Sequence, residues 1–402
     1  MHERVKQEDD RILTWSVAAL VLIGLVVVYD ASFPRAGAWQ MVKQSAWVFV
    51  GLLAYGLGRQ INPRILYRFA PLIALVSLAM MFAVRLPGIG EERGGAFRWF
   101  TLGQVGPVEI TVQPAEFGKL AFIILLARLL CSSSLLGVCA PLREGRYPLL
   151  AVLAIAMFAG VVVAVQEDLG SALVFLGIGI GMLFAAGLPL RRVVLLLASV
   201  AAVGSLFILQ KDYRLQRVVA FLNPFAYIET AGYQLAHSLM GIGTGGVWGA
   251  GLGLGRAKEF LPAADTDFVF TTVAEETGIW GSAAIIALLA LVTWRILLIA
   301  YRAQATYPML LASGIGIMIA LQSLLNLYVV TGAVPTTGVP LPFISAGGSS
   351  LVSMIFSIGL VQKVARNPMS ERVTGESHAR ASGRRGNRGA FVSRREYRRG
   401  VA

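Results

Sequence analysis

Ten apolar runs punctuate the chain, near 12–31, 41–58, 66–84, 112–130, 148–165, 169–187, 191–209, 279–300, 308–331 and 345–363. A helix rises about 1.5 Å per residue, so each run is about long enough to cross a hydrocarbon layer of ~30 Å. The pattern predicts an all-α polytopic membrane protein with ten transmembrane helices. Only Gln166-Glu167-Asp168 separates the fifth run from the sixth, so one long span is the alternative there. Loop charge decides. With a cytoplasmic N-terminus, Arg59, Arg64 and Arg68, then Arg143 and Arg146, Arg191 and Arg192, Arg302 and the Arg-rich tail all fall inside, as short basic loops do; fusing the pair would throw the later ones outside.

This reading divides the chain into a cytoplasmic N-terminus (1–11), a ten-helix domain (12–365) and a basic cytoplasmic tail (366–402). Residues 85–111, 166–168, 210–278 and 332–344 face outward, the largest of these segments lying between the seventh and eighth helices. Composition agrees: 56% of residues are hydrophobic, 14% are charged and mean hydropathy is +0.70. A net charge of +13 would suggest nucleic acid in a soluble chain. Here ten arginines from Arg366 onward, against three glutamates, supply +7 of it. The tail is expected to be disordered along the anionic inner leaflet, and no nucleic-acid partner is expected.

Cys131 and Cys139 fall in one short connection, where a disulfide would restrain little, and read as free thiols. The first apolar run is too long for a signal-peptide core and stays as a helix. No phosphate loop of the Walker type and no paired His/Cys metal spacing is present, and Gly251-Leu-Gly-Leu-Gly255 reads as a tight turn.

Ionisable groups in or beside a span are costly and need pairing or a function. Asp265, Asp267, Glu275 and Glu276 put four carboxylates into one short apolar-flanked segment. Glu116 and Lys119 share a helix face three residues apart, either as a structural pair or as the lining of a cavity that meets an anionic ligand. Arg98 beside Trp99 is either a snorkelling anchor or a phosphate ligand, the guanidinium matching phosphate oxygens in pairs. Asp168 is either an N-cap for the sixth helix or a site residue. Segment 210–278 contains Gly232-Tyr-Gln-Leu-Ala-His-Ser238, a short amphipathic helix for the interface. The Gly- and Pro-rich stretch 335–350 suggests a re-entrant loop bordering a site, since irregular backbone at membrane depth needs protein or water beside it.

Together these stretches resemble the SEDS family, which includes FtsW, RodA and SpoVE. The matching motifs are Gly-Ala-x-Arg-Trp at 95–99, Gln-Pro-x-Glu-Phe-x-Lys at 113–119, Asp-Leu-Gly at 168–170, Arg217 with Phe-Leu-x-Pro at 221–224, and Gly-Tyr-Gln at 232–234. Further along are Leu-Pro and Thr-Asp-Phe within 261–268, Ala-Glu-Glu-x-Gly at 274–278, and Leu-Pro-Phe-Ile-Ser-x-Gly-Gly-Ser-Ser at 341–350. The glycine-rich run before Leu261 is more similar to the FtsW/SpoVE branch. Among the departures, Asp265 stands where His is common in the family and Ala346 where Tyr is common.

The resemblance implies a peptidoglycan glycosyltransferase in the bacterial cytoplasmic membrane, polymerising lipid II on the outer side into β-1,4 glycan strands with a class B penicillin-binding protein, for division or wall growth. It implies Asp267 as the catalytic base. Arg98, Glu116, Lys119, Arg217, Gln234, Ser345 and Ser349 become substrate-binding residues, the cations Arg98, Lys119 and Arg217 answering pyrophosphate. Trp99, Asp168, Thr266, Glu275 and Glu276 are supports. If a helix starts near Thr266, Asp267, Thr271 and Glu275 share one face and two carboxylates enter one cavity. Mg²⁺ or Mn²⁺ bridging Asp267 and pyrophosphate is compatible with hard oxygen ligands, and no organic cofactor is implied. Two rival functions remain at this level: a lipid II flippase using the same cavity, and a non-catalytic scaffold for the penicillin-binding protein.

Overall fold

The computed structural model describes residues 9–86, 88, 90–93, 96–105, 108–131, 149–208 and 212–366. The tail beyond Arg366, the first eight residues, Cys139, Arg143 and Arg146 lie outside them. Helices α1 (Arg11–Ala36), α2 (Trp39–Gln60) and α3 (Pro63–Ala83) are followed by strands β1 (Gly90–Arg93), β2 (Ala96–Val105) and β3 (Val108–Val112). Then come α4 (Pro114–Leu130), α5 (Leu149–Val165), α6 (Leu169–Ala185), α7 (Leu190–Ile208), α8 (Asp212–Leu222), α9 (Tyr233–Gly245) and the single turn α10 (Ala257–Phe260). Helices α11 (Val269–Arg302), α12 (Thr306–Val330) and α13 (Gly348–Arg366) complete the bundle.

Each of the ten apolar runs contains a helix, and the break between α5 and α6 falls at 166–168. Among the described residues five helices, α1, α3, α11, α12 and α13, are both long and apolar enough to cross a membrane, and α5 and α6 are shorter apolar helices. The chain is mostly helical, with several membrane-length segments. Two expectations are corrected. Segment 85–111 is not a plain loop in an all-α protein, because β1, β2 and β3 form an antiparallel sheet in that order. Cys131 is not a free thiol but is disulfide-bonded.

Local chemistry sets the helix starts. Asp10 caps α1 by accepting from Leu13 N at 2.9 Å, and Asn62 caps α3 with Pro63 in its first turn. Helix α13 packs along α2, α3 along α4, and α11 along α12 and α1. Phe122, Phe158 and Phe175, with ring centroids 5.1–5.6 Å apart, join α4, α5 and α6.

Polar ties mark the two ends of the bundle. At one end Asp10 accepts from Arg295 Nε at 3.0 Å and its carbonyl accepts from Gln362 Nε2 at 2.9 Å, while Asp9 pairs with Arg59 and Arg366. The start of α1, the end of α2, the far half of α11 and the end of α13 therefore meet. At the other end of α1, Arg35 donates to the carbonyls of Lys258, Leu261 and Pro262.

Candidate active site

At this second end, residues 261–268 form a run of turns leading into α11. Helix α11 begins at Val269, with Phe268 at φ −111° and ψ 20°, so Asp267 precedes the helix. The expected shared face of Asp267, Thr271 and Glu275 is thereby corrected. Thr271 Oγ1 instead meets Ser238 Oγ on α9 at 2.7 Å.

Three successive carbonyls of the turn are tied down. Ala346 N donates to Asp265 O at 2.7 Å, Ser345 Oγ to Thr266 O at 2.7 Å, and Asn326 Nδ2 to Asp267 O at 2.8 Å. Asn326 also donates to Val339 O at 2.8 Å, so one amide on α12 splices the turn to the 335–347 segment. Ser345 is engaged on both sides, since its Oγ accepts from Leu341 N at 2.8 Å. Within that segment Phe343 adopts φ +68°, a left-handed conformation uncommon for a bulky residue. Gly338, at φ +70°, lies so near that a Cβ there would stand 3.4 Å from Asp267 Oδ2. A larger residue would crowd the carboxylate and strain the turn.

The Asp267 carboxylate has no hydrogen-bond donor or ion-pair partner among the described residues, and it is partly accessible. Loss of water around it, with Asp168 and Asp265 close enough to repel its charge, pushes its pKa up to about 6 against the opposing pull of Arg98. Asp265 is also raised, chiefly by burial, although Gln40 Nε2 donates to it at 3.2 Å and Arg35 and Lys43 oppose the shift. Asp168 caps α6: its oxygens accept from Ser171 N at 3.0 Å and Ser171 Oγ at 2.8 Å. Arg98, reaching from β2, donates Nε to Gln166 O at 3.0 Å and Nη2 to Glu167 O at 2.7 Å. The sheet thus pins the turn that presents Asp168, and Trp99 sits beside the guanidinium.

The remaining predicted residues lie elsewhere or are used otherwise. Lys119 and Glu116 are 1% and 3% exposed and pair at 2.7 Å, while Ser353 Oγ donates to Glu116 O at 3.0 Å. Ser349 Oγ accepts from Gln113 N at 3.1 Å, tying the starts of α4 and α13 together. Arg217 is exposed on α8 and Gln234 is partly exposed on α9; no described contact joins either to Asp267. Glu275 accepts from the amides of Arg256 and Ala257 at 3.0 and 2.9 Å. Glu276 accepts from Gly253 N and Gly255 N at 3.0 and 3.2 Å and pairs with Lys258 at 2.7 Å. Both glutamates hold the 250–258 segment rather than facing Asp267.

The arrangement therefore offers one uncommitted carboxylate of raised pKa, with a guanidinium close enough to act on its charge. This suits proton abstraction from a hydroxyl opposite an anionic leaving group. The FtsW/RodA/SpoVE family of cell cycle proteins matches residues 11–369. This chain belongs to that family.

Within it, the chain is 34% identical over 364 residues to the probable peptidoglycan glycosyltransferase FtsW of Geobacter sp. (strain M18), covering 89% of this chain and 96% of that protein. It is 33% identical to stage V sporulation protein E of Bacillus subtilis (strain 168), over 90% and 98% of the two chains. Among solved structures, a chain of a peptidoglycan synthase complex that coordinates polymerization and crosslinking superposes with a TM-score of 0.75 at 29% identity, covering 90% of this chain and 99% of that one. The rod shape determining protein RodA of Thermus thermophilus gives a TM-score of 0.66 at 28% identity, over 90% and 98%.

Proposed function

We infer that this chain is a peptidoglycan glycosyltransferase of the bacterial cytoplasmic membrane that polymerises lipid II, with Asp267 as general base. The observation that carries the base assignment is the uncommitted Asp267 carboxylate: Asp265, Glu275 and Glu276 each accept from donors, and among the described residues Asp267 alone of the four does not. In the reaction the acceptor hydroxyl oxygen attacks the anomeric carbon of the lipid-linked donor, its proton passes to Asp267, and the bond to the undecaprenyl pyrophosphate breaks. Attack opposite the leaving group inverts an α-linked donor to a β-1,4 product. Arg98 is the cation whose charge acts on Asp267; its Nη1 makes no hydrogen bond among the described residues and is free to meet a pyrophosphate oxygen.

Of Asp168, Asp265 and Asp267, only Asp267 has a side chain with no hydrogen-bond partner among the described residues. Asp168 is taken by Ser171 and Asp265 by Gln40, and no group of three or more candidate ligands occurs among the described residues. The donor set suits Mg²⁺ or Mn²⁺ held by one carboxylate, with pyrophosphate oxygens and water as the other ligands. Such an ion would neutralise charge developing on the leaving group.

The ten-span topology with both termini inside is supported by the latch of Asp9 and Asp10, which gathers the start of α1 and the ends of α2 and α13 on one face. Asp267 lies toward the opposite end of α1, whose 26 residues span about 39 Å at the helical rise, which fits an extracytoplasmic site. A class B penicillin-binding protein is the partner proposed for this chain, following its likeness to a synthase-complex subunit.

The test uses purified protein, labelled lipid II and that partner, comparing wild type with Asp267→Ala. Glycan polymer from wild type and none from the variant is expected; polymer from both would sink the base assignment. No polymer from either, with lipid II scrambled across liposomes by wild type, would replace the reading with a flippase. Neither activity with partner binding intact would leave a scaffold.

A further inference from the structure

Helix α11 is broken within its length: Gly278 has φ +64° and ψ −155°. A break frees carbonyls on one side and amides on the other, and in an apolar setting these need partners. Segment 246–251 supplies them. Ala250 N donates to Glu275 O at 2.8 Å, Gly251 N to Glu276 O at 3.0 Å, and Ile279 N donates to Gly246 O at 3.1 Å. The Glu276 carboxylate then holds Gly253 N and Gly255 N, and Lys258 joins it to Asp30 at 2.7 Å. The glycine-rich segment is therefore spliced into the break by five hydrogen bonds.

This fixed loop turns large apolar side chains outward. Trp248 is 82% exposed, Leu252 75% and Leu254 69%, with Val247 also exposed. Four such residues on one tethered loop are an interaction surface rather than scattered exceptions. What covers it is indicated by the neighbouring helix. Ile279 and Trp280, directly after the splice, are exposed, and an exposed apolar stripe continues through Ile286, Trp294 and Leu297 to Tyr301. Trp280 and Tyr301 are 21 residues apart, about 32 Å along a helix, which is close to the ~30 Å hydrocarbon thickness. Tryptophan and tyrosine at those two depths mark the interfaces of a bilayer. The loop is continuous with the Trp280 end of that stripe, on the Asp267 side of the bundle.

We propose that residues 247–254 are an outer-leaflet anchor, with Val247, Trp248, Leu252 and Leu254 lying among lipid acyl chains at the depth of Trp280. The anchor sets the height of the glutamate-held segment, and through it that of the start of α11, against the lipid surface from which a polyprenyl-linked substrate arrives.

The experiment reconstitutes the full chain into liposomes containing phosphatidylcholine brominated at either a shallow or a deep acyl position. Fluorescence lost on replacing wild type by Trp248→Phe isolates the Trp248 signal. That signal is expected to be quenched most by bromine about 5–10 Å below the headgroups and little by aqueous iodide. Leu252→Asp combined with Leu254→Asp is expected to reverse the order, with circular dichroism reporting that the helices persist. Strong iodide quenching of Trp248 in wild type, with no bromolipid effect, would overturn the proposal. So would protection from both quenchers that appears only when the penicillin-binding partner is added, because the surface would then belong to that partner. Neither readout depends on glycan synthesis.

Discussion

Four acids lie within twelve residues, and the structure gives them two fates. Glu275 and Glu276 follow the start of α11, and between them they accept from four backbone amides and one buried ammonium. Asp265 and Asp267 precede it, where the backbone is heavily tied and the carboxylates are not: Asp265 has Gln40 as its one side-chain donor, and Asp267 has no donor among the described residues. In the first pair the side chains hold the main chain. In the second, the main chain is held by others so that a side chain stands free. A carboxylate saturated with donors is a brace, whereas one without donors and with only part of its water shell has a raised pKa and is available to take a proton.

The largest expected break in this contrast is Asp267→Asn, which should lower the polymerisation rate by ~10²–10⁴-fold, measured as glycan formed from labelled lipid II. Stability should move the other way. With a pKa of about 6 against the ordinary 3.8, the ionised Asp267 destabilises the fold above about pH 6, and that cost disappears as pH falls through 3.8. The Asn variant should therefore melt higher at pH 8 and no higher near pH 4.

Glu276→Ala should do the converse. Removing one member of a buried pair costs about 3–5 kcal/mol, and Lys258 and Glu276 are buried together. A lower thermal midpoint is expected, with activity per folded molecule largely kept. Equal loss of activity at unchanged stability would place Glu276 in the chemistry and erase the distinction.

Asn326→Ala tests whether the ties matter to the free carboxylate. It leaves two carbonyls without their donor, costing about 1–3 kcal/mol, and should reduce kcat about tenfold with little change in KM, as misplacement of a catalytic group does. The smallest effect is the finest probe. Activity should rise with pH through about 6, and Asp265→Asn, by removing a like charge while Asp168 and Arg98 remain, should move that limb down by roughly half a unit. A limb that moves upward would mean that Asp265 supports the ionised base.

The helical framework was legible because a twenty-residue apolar run is a coarse, local signal. Every such run contains a helix, and three polar residues sufficed to separate α5 from α6. Charged and glycine residues, half of those in 90–105, hide the sheet in the sequence, yet Val108-Glu-Ile-Thr-Val112, rich in β-branched residues, carries a strand signal. Thr-Asp before an apolar run resembles a helix start, whereas the tertiary ties at 265–267 hold that stretch out of helix. The use of Glu276 was not readable locally: its amide partners are 21 and 23 residues away, across a loop whose return depends on the Gly278 break. Asn326 has a sequence signal of its own. It and Gln322 are amides one turn apart inside an apolar span, both buried, and buried amides in such spans call for a partner.

The tying of carbonyls 265 to 267 has a mechanical consequence. Ala346, Ser345 and Asn326 fasten the turn to the stretch before α13 and to α12, so the proposed base has no private coordinates. A push on the 335–347 stretch, whether from a docked protein or from an entering sugar, is transmitted to Asp267 through the main chain itself. Since an ångström of misplacement can alter a rate about a hundredfold, the same three bonds that aim the carboxylate also make that stretch a throttle on it.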